Sequence, residues 1–155
     1  MMNQSEERAA LRRYLNKYKR ARKHKATMQQ RLSDLRLELS GPSVKPLSSD
    51  NIRAKGKNGT GAEGPALQII EIEEKINKQI AKEAQLVLDV MNVIDLLESG
   101  SIEREILEAR HIDCISWRKT EFRVHLTRSP CFEHYNKALD YLLSIRKVRV
   151  LIEID

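Results

Sequence analysis

The chain is poor in the residues that build β-sheet cores and covalent frameworks. Aromatic residues make up 5% of its 155 positions against 32% for charged residues, a balance that favours helical, surface-rich architecture over a β-sandwich. Two cysteines occur, Cys114 and Cys131, without framework spacing. The chain starts with a polar, charged stretch, NQSEERAALRR, and has no signal peptide pattern, so a reducing cytoplasm is the expected compartment. No apolar run approaches the roughly 20 residues a membrane span needs, so a soluble protein without a membrane partner is expected. There is no HExxH, nucleophile motif or paired-carboxylate motif; neither an enzyme nor a cofactor is expected.

Glycine and proline are scarce outside one stretch. Residues 41–65, GPSVKPLSSDNIRAKGKNGTGAEGP, hold five of the six glycines and three of the four prolines, which predicts a flexible tether. Its GKNGTG lacks the G-K-[ST] ending of a phosphate-binding loop, and no hydrophobic strand precedes it.

Two long amphipathic helices are predicted on either side of the tether. Over 5–40, with Ser5 as the expected start, Leu11, Tyr14, Tyr18, Ala21, Lys25, Met28, Leu32, Leu35 and Leu39 recur at three- and four-residue steps. That is a heptad seam with one charged interruption. Over 66–99, Ile69, Ile72, Ile76, Ile80, Ala84, Val87, Val90, Ile94 and Leu97 give a second stripe. The charges are opposite. Residues 1–40 carry eleven Lys/Arg and four Asp/Glu, a net of +7, larger than the +6 of the whole chain, while 66–98 carry three lysines and seven acids, a net of −4. The seams predict a helical hairpin or coiled coil within one chain, or pairing between two chains as a homodimer. The basic run Lys17, Lys19, Arg20, Arg22, Lys23 and Lys25 reads either as a solvated helix face or as a strip of phosphate contacts.

Residues 101–143 predict three short helices. Ser101 is the expected first N-cap, and Ile102, Ile106 and Ala109 the inward stripe of a helix ending near Ile112-Asp113. Ser116 caps a second helix with Trp117, Thr120 and Val124 on one face. His125-Leu126 forms the turn, and Thr127 caps a third helix whose first turn tolerates Pro130, because first-turn N–H groups lack intrahelical partners. Cys131, His134 or Tyr135, Ala138 and Leu142 are the expected buried stripe of that helix. This is a helix-turn-helix pattern, whose last helix enters the DNA major groove.

IEREILEARHID, SWRKTEF and LTRSPCFEHYNKAL resemble the DNA-binding region 4 of sigma factors. With the basic helix and tether, the chain is similar to the small late-gene transcription regulators of Gram-positive bacteriophages, the autolysin-regulator-like (ArpU-type) group. Glu121 stands where that pattern has a small alanine, and His125 where it has glycine. The resemblance implies that Arg128 and Ser129 open the recognition helix, with Glu133 and Asn136 one turn later. Arg and Asn can pair bidentately with guanine and adenine, and Glu can accept from cytosine. Arg118 and Lys119 on the supporting helix, together with Thr127 and Lys137, complete the expected DNA-binding set. Residues 100–144 carry seven basic and seven acidic residues, so non-specific affinity has to come from the first helix or from dimerisation.

His111-x-x-Cys114 and Cys131-x-x-His134 have zinc-ligand types and spacing. The simpler reading, adopted here, assigns no metal: Cys131 is a small core residue, Cys114 lies in a loop, and the histidines are surface or core side chains. The expected protein is all-α: a helical hairpin or coiled coil over 1–99, then a helix-turn-helix module with a C-terminal tail over 100–155. The expected function is a sequence-specific regulator of phage late genes that binds double-stranded DNA. Two other classes compete. One is a coiled-coil adaptor or DNA-packaging component resembling a terminase small subunit; the other is a protein that binds host RNA polymerase.

Overall fold

The computed structural model describes residues 2–40 and 63–154, and all regular structure among them is helical. The helices are α1 (Gln4–Leu15), α2 (Lys17–Ser40), α3 (Glu63–Ile94), α4 (Ile102–His111), α5 (Trp117–Val124), α6 (Arg128–Leu143) and α7 (Arg146–Ile154). None is long and apolar enough to cross a membrane. Residues 41–62 of the expected tether lie outside the described residues; α3 already begins at Glu63, with Pro65 in its first turn.

The predicted first helix is two. Asn3, and not Ser5, is its N-cap: the Asn3 side chain accepts from the Glu6 N–H at 2.8 Å, and the Asn3 N–H donates to the Glu6 carboxylate at 2.9 Å. This reciprocal box satisfies two donors that a helix end would leave open. Asn16 separates α1 from α2, although the Asn16 and Arg20 N–H groups keep i→i−4 bonds of 2.9 Å on either side.

The chain forms two compact units, residues 1–21 with 83–155, and residues 22–82. The expected division at residue 99 does not coincide with either. In the smaller unit Met28, Leu32 and Ile76 form the core, flanked by Ile69 and Ile72, and Arg36 pairs with Glu73. Along α3, Ile76, Glu83 and Val90 are buried at seven-residue steps, whereas Ile80 is 46% exposed and Ala84 is exposed. The expected stripe followed apolar identity through Ile80 and Ala84; the seam instead keeps its 3.5-residue period and accepts Glu83 at a buried position. The first helix keeps its seam as far as Leu32; Leu39 is exposed.

The larger unit has one core. Leu11 and Leu15 of α1, Val90 and Ile94 of α3, Ile106 and Leu107 of α4, Leu139 and Leu142 of α6 and Val148 of α7 are fully buried in it. The expected C-terminal tail is therefore helix α7, which contributes Val148 and Ile152. Their four-residue spacing puts those two on one helical face. Helix α3 ends at Ile94, earlier than expected, and Arg104 closes that end, donating to Asp95 at 2.6 Å and to the Leu97 carbonyl at 3.4 Å. Gly100 follows with φ +79°, where glycine carries no Cβ penalty. Arg8 of α1 forks onto Asp140 of α6, Nε to Oδ1 at 2.6 Å and Nη2 to Oδ2 at 2.5 Å.

Candidate nucleic-acid interface

Local chemistry positions α4, α5 and α6 as the spacing predicts. The Ser101 hydroxyl accepts from the Arg104 N–H at 3.2 Å and the Ser116 hydroxyl from the Lys119 N–H at 3.3 Å. Ile106 and Ala109 are buried, but Ile102 is 38% exposed and Leu107 takes the inward place. Helix α5 ends in a left-handed residue, His125, with φ 57° and ψ 38°. The Leu126 N–H reaches the Glu121 carbonyl at 3.1 Å and the His125 N–H the Phe122 carbonyl at 3.4 Å. These two bonds make a Schellman closure, in which a residue with a Cβ occupies the position that favours glycine. Thr127 has the extended backbone of an N-cap but makes no side-chain cap bond. Pro130 costs nothing where it stands, and the first intrahelical bond of α6 runs from the Cys131 N–H to Thr127 at 3.1 Å.

Thr120 and Val124 of α5 and Cys131, Tyr135, Ala138 and Leu142 of α6 face inward. Tyr135, and not His134, takes the alternative place in the buried stripe. Trp117 binds the three helices together. Its ring lies 4.3 Å from Phe132 and 5.0 Å from Tyr135, and the Arg110 guanidinium covers it at 4.6 Å while donating to the Ile115 carbonyl.

Most of the expected DNA-binding residues are exposed at the surface. Arg118, Lys119, Thr127, Arg128, Ser129, Glu133 and Lys137 are exposed, and Asn136 is half-buried. Cations on this module pair with carboxylates of the same module. Arg123 pairs with Asp113, Arg128 lies 3.8 Å from Glu121, and Lys137 lies 3.6 Å from Glu103. His134 meets the same Glu103 oxygen at 3.0 Å. The His134 bond holds the Glu103 carboxyl below the usual carboxylate range, against the opposing effect of partial burial. Phe122 projects from α5 at 83% exposure, and nothing in the periodicity singled it out.

The expected phosphate strip is only partly presented. Arg20, Arg22 and Lys23 are exposed, whereas Lys17, Lys19 and Lys25 are half-buried. The Lys17 ammonium lies 4.5 Å over the Tyr14 ring, and Arg20 donates to the Arg13 carbonyl at 3.0 Å.

Three of the four zinc-type residues have other polar partners, and the fourth, Cys131, lies in the core. His111 is buried, with Nδ1 3.1 Å from Asn16 Oδ1 and Nε2 2.9 Å from the Tyr135 hydroxyl. Cys114, at φ 56°, turns its thiol to the His111 and Ile112 carbonyls; Cys131 is buried, and His134 is on Glu103. No group of three or more His, Cys, Asp or Glu side chains among the described residues is placed to hold a metal ion. No protein-family model, curated protein or solved structure matches the chain.

Proposed function

We propose that the protein is a sequence-specific, double-stranded DNA-binding transcription regulator, with α5 and α6 as a helix-turn-helix and α6 as the helix that enters the major groove. The observation that carries this reading is the closure at His125. It ends α5 in two backbone bonds and starts α6 three residues later, so that both helices bury one face while Arg128, Ser129 and Glu133 stay exposed at the start of α6. The sigma region 4 resemblance of the same residues supports this assignment, and the ArpU-type resemblance of the chain as a whole supports control of phage late genes in the host cytoplasm.

Arg128 and Ser129 meet base edges or phosphates, Glu133 and Asn136 read one turn further on, and Arg118 and Lys119 seat α5 on the backbone. The module has equal numbers of acidic and basic residues, so a second element has to supply phosphate affinity. Basic α2 or a second copy of the chain fills that role, and host RNA polymerase is the protein partner such a regulator would address. The heptad burial along α2 and α3 favours, as a second reading, an assembly protein of the packaging class.

Selection of genomic fragments with the purified protein, followed by footprinting, tests the proposal. One protected promoter-proximal site is expected. Protection of a packaging site, or assembly into rings, supports the second reading. Binding without sequence preference overturns the first.

A further inference from the structure

Glu121 occupies a costly place. It lies in the last turn of α5, where the helix dipole disfavours an anion, its side chain is only 18% exposed, and the sigma-like pattern has a small residue there. Burial raises the Cys131 thiol pKa, and the nearby Glu121 charge adds to that shift. The cation that faces Glu121 is Arg128, the first residue of α6, whose side chain is 64% exposed and whose Nη2 lies 3.8 Å from Glu121 Oε2.

We infer that Glu121 is a specificity-determining residue that orients Arg128 for a base edge and lowers affinity for DNA of any other sequence. This rests on the helix-turn-helix reading above. An arginine has five N–H donors in a rigid fork, so a carboxylate beside one Nη leaves the rest of the fork available for two parallel bonds to a guanine edge. Holding the long side chain in advance removes rotamer entropy that binding would otherwise lose. At a non-cognate site no base edge replaces the carboxylate, and Glu121 remains an anion close to phosphates. One residue therefore acts on both sides of the specificity ratio, strengthening cognate binding and weakening the rest.

The experiment compares Glu121→Gln, Glu121→Ala, Arg128→Ala and the Glu121→Ala/Arg128→Ala double variant in the full chain. Each is measured on a selected cognate duplex and on a scrambled duplex, and the Arg128 side-chain Nε–H is followed by NMR in the free protein. Glu121→Gln keeps the shape of the side chain, and Glu121→Ala restores the small residue of the pattern. Both are expected to raise scrambled-duplex affinity roughly three- to tenfold, to leave cognate affinity equal or weaker, and to speed exchange of the Arg128 Nε–H. In the Arg128→Ala background, Glu121→Ala should no longer change the specificity ratio. An equal rise on both duplexes, or a specificity ratio that still falls without Arg128, overturns the inference. If the wild-type chain selects no duplex, the DNA reading and this inference fail together. If selection succeeds and the Nε–H is unmoved, only the inference fails.

Discussion

The His111 Nε2 atom accepts the Tyr135 hydroxyl proton across 2.9 Å inside the core of the larger unit. Asn16 presents its carbonyl oxygen to Nδ1 at 3.1 Å, so Nδ1 carries the proton and the ring is neutral. Burial is the main cause that lowers the His111 pKa to about 3, aided by Arg110 and Lys19, and burial raises that of Tyr135 to about 12. The three residues join the α1–α2 junction, α4 and α6 through one satisfied polar path. An unmade bond there would leave a buried group without a partner, at a cost of about 1–3 kcal/mol.

Stability should therefore fall on acidification. His111 is depressed in the fold, so the unfolded chain binds a proton that the native chain refuses. Its contribution is complete above the unfolded value near 6.5 and is lost as pH falls toward 3, by about 5 kcal/mol at the limit. Asp140, lowered by its hydrogen bond from Arg8, and Glu103, lowered by its hydrogen bond from His134, act in the same direction through the carboxylate range. Chemical denaturation from pH 8 to 4 should show a plateau and then a decline beginning near 6.5. His111→Gln should lower the plateau and flatten the decline above pH 5. A parent protein with equal stability at pH 7 and pH 5 would show that His111 is not neutral and buried.

Arg128→Ala should weaken cognate-site binding by about 1–3 kcal/mol, because it removes one groove contact, and should leave the circular dichroism spectrum intact. The side chain is two-thirds exposed, so its removal should cost the fold little. Unchanged footprints at limiting protein would falsify the recognition-helix assignment.

Replacing Lys19, Arg20, Arg22 and Lys23 by glutamine should weaken binding to all sequences alike. Each phosphate contact removed should reduce the log–log salt slope by about 0.9. Exposed Arg22 and Lys23 should account for more of the change than half-buried Lys19. Identical slopes in variant and parent would mark the run as a solvated face.

The C-terminal helices α4 to α7 should not fold alone. Leu11 and Leu15 of α1 and Val90 and Ile94 of α3 are fully buried in the core that holds α4, α6 and α7. A fragment of residues 100–155 should lack a cooperative melt, and Leu11→Ala in the full chain should cost about 2–5 kcal/mol. Thermal melts and NMR dispersion of the fragment decide this. A cooperative transition with native-like dispersion would mean that the module is an independent domain.

What the sequence determined by itself was local. The Ser101 and Ser116 caps, the turn at His125-Leu126 and the tolerance of Pro130 depend on residues within three or four positions of one another, and helical periodicity reports an all-α chain without reference to partners. The same periodicity could not say which apolar stripe meets which. Tertiary structure decided that α1 buries Leu11 and Leu15 in the C-terminal core and that the last residues form α7. It also decided that Tyr135 turns inward to meet His111, and that Glu121 stands beside Arg128. Apolar burial is non-directional, so several seams satisfy it equally along the chain. Competition among the faces within each unit's core selects the pairing, and the polar contacts that only that pairing permits follow from it.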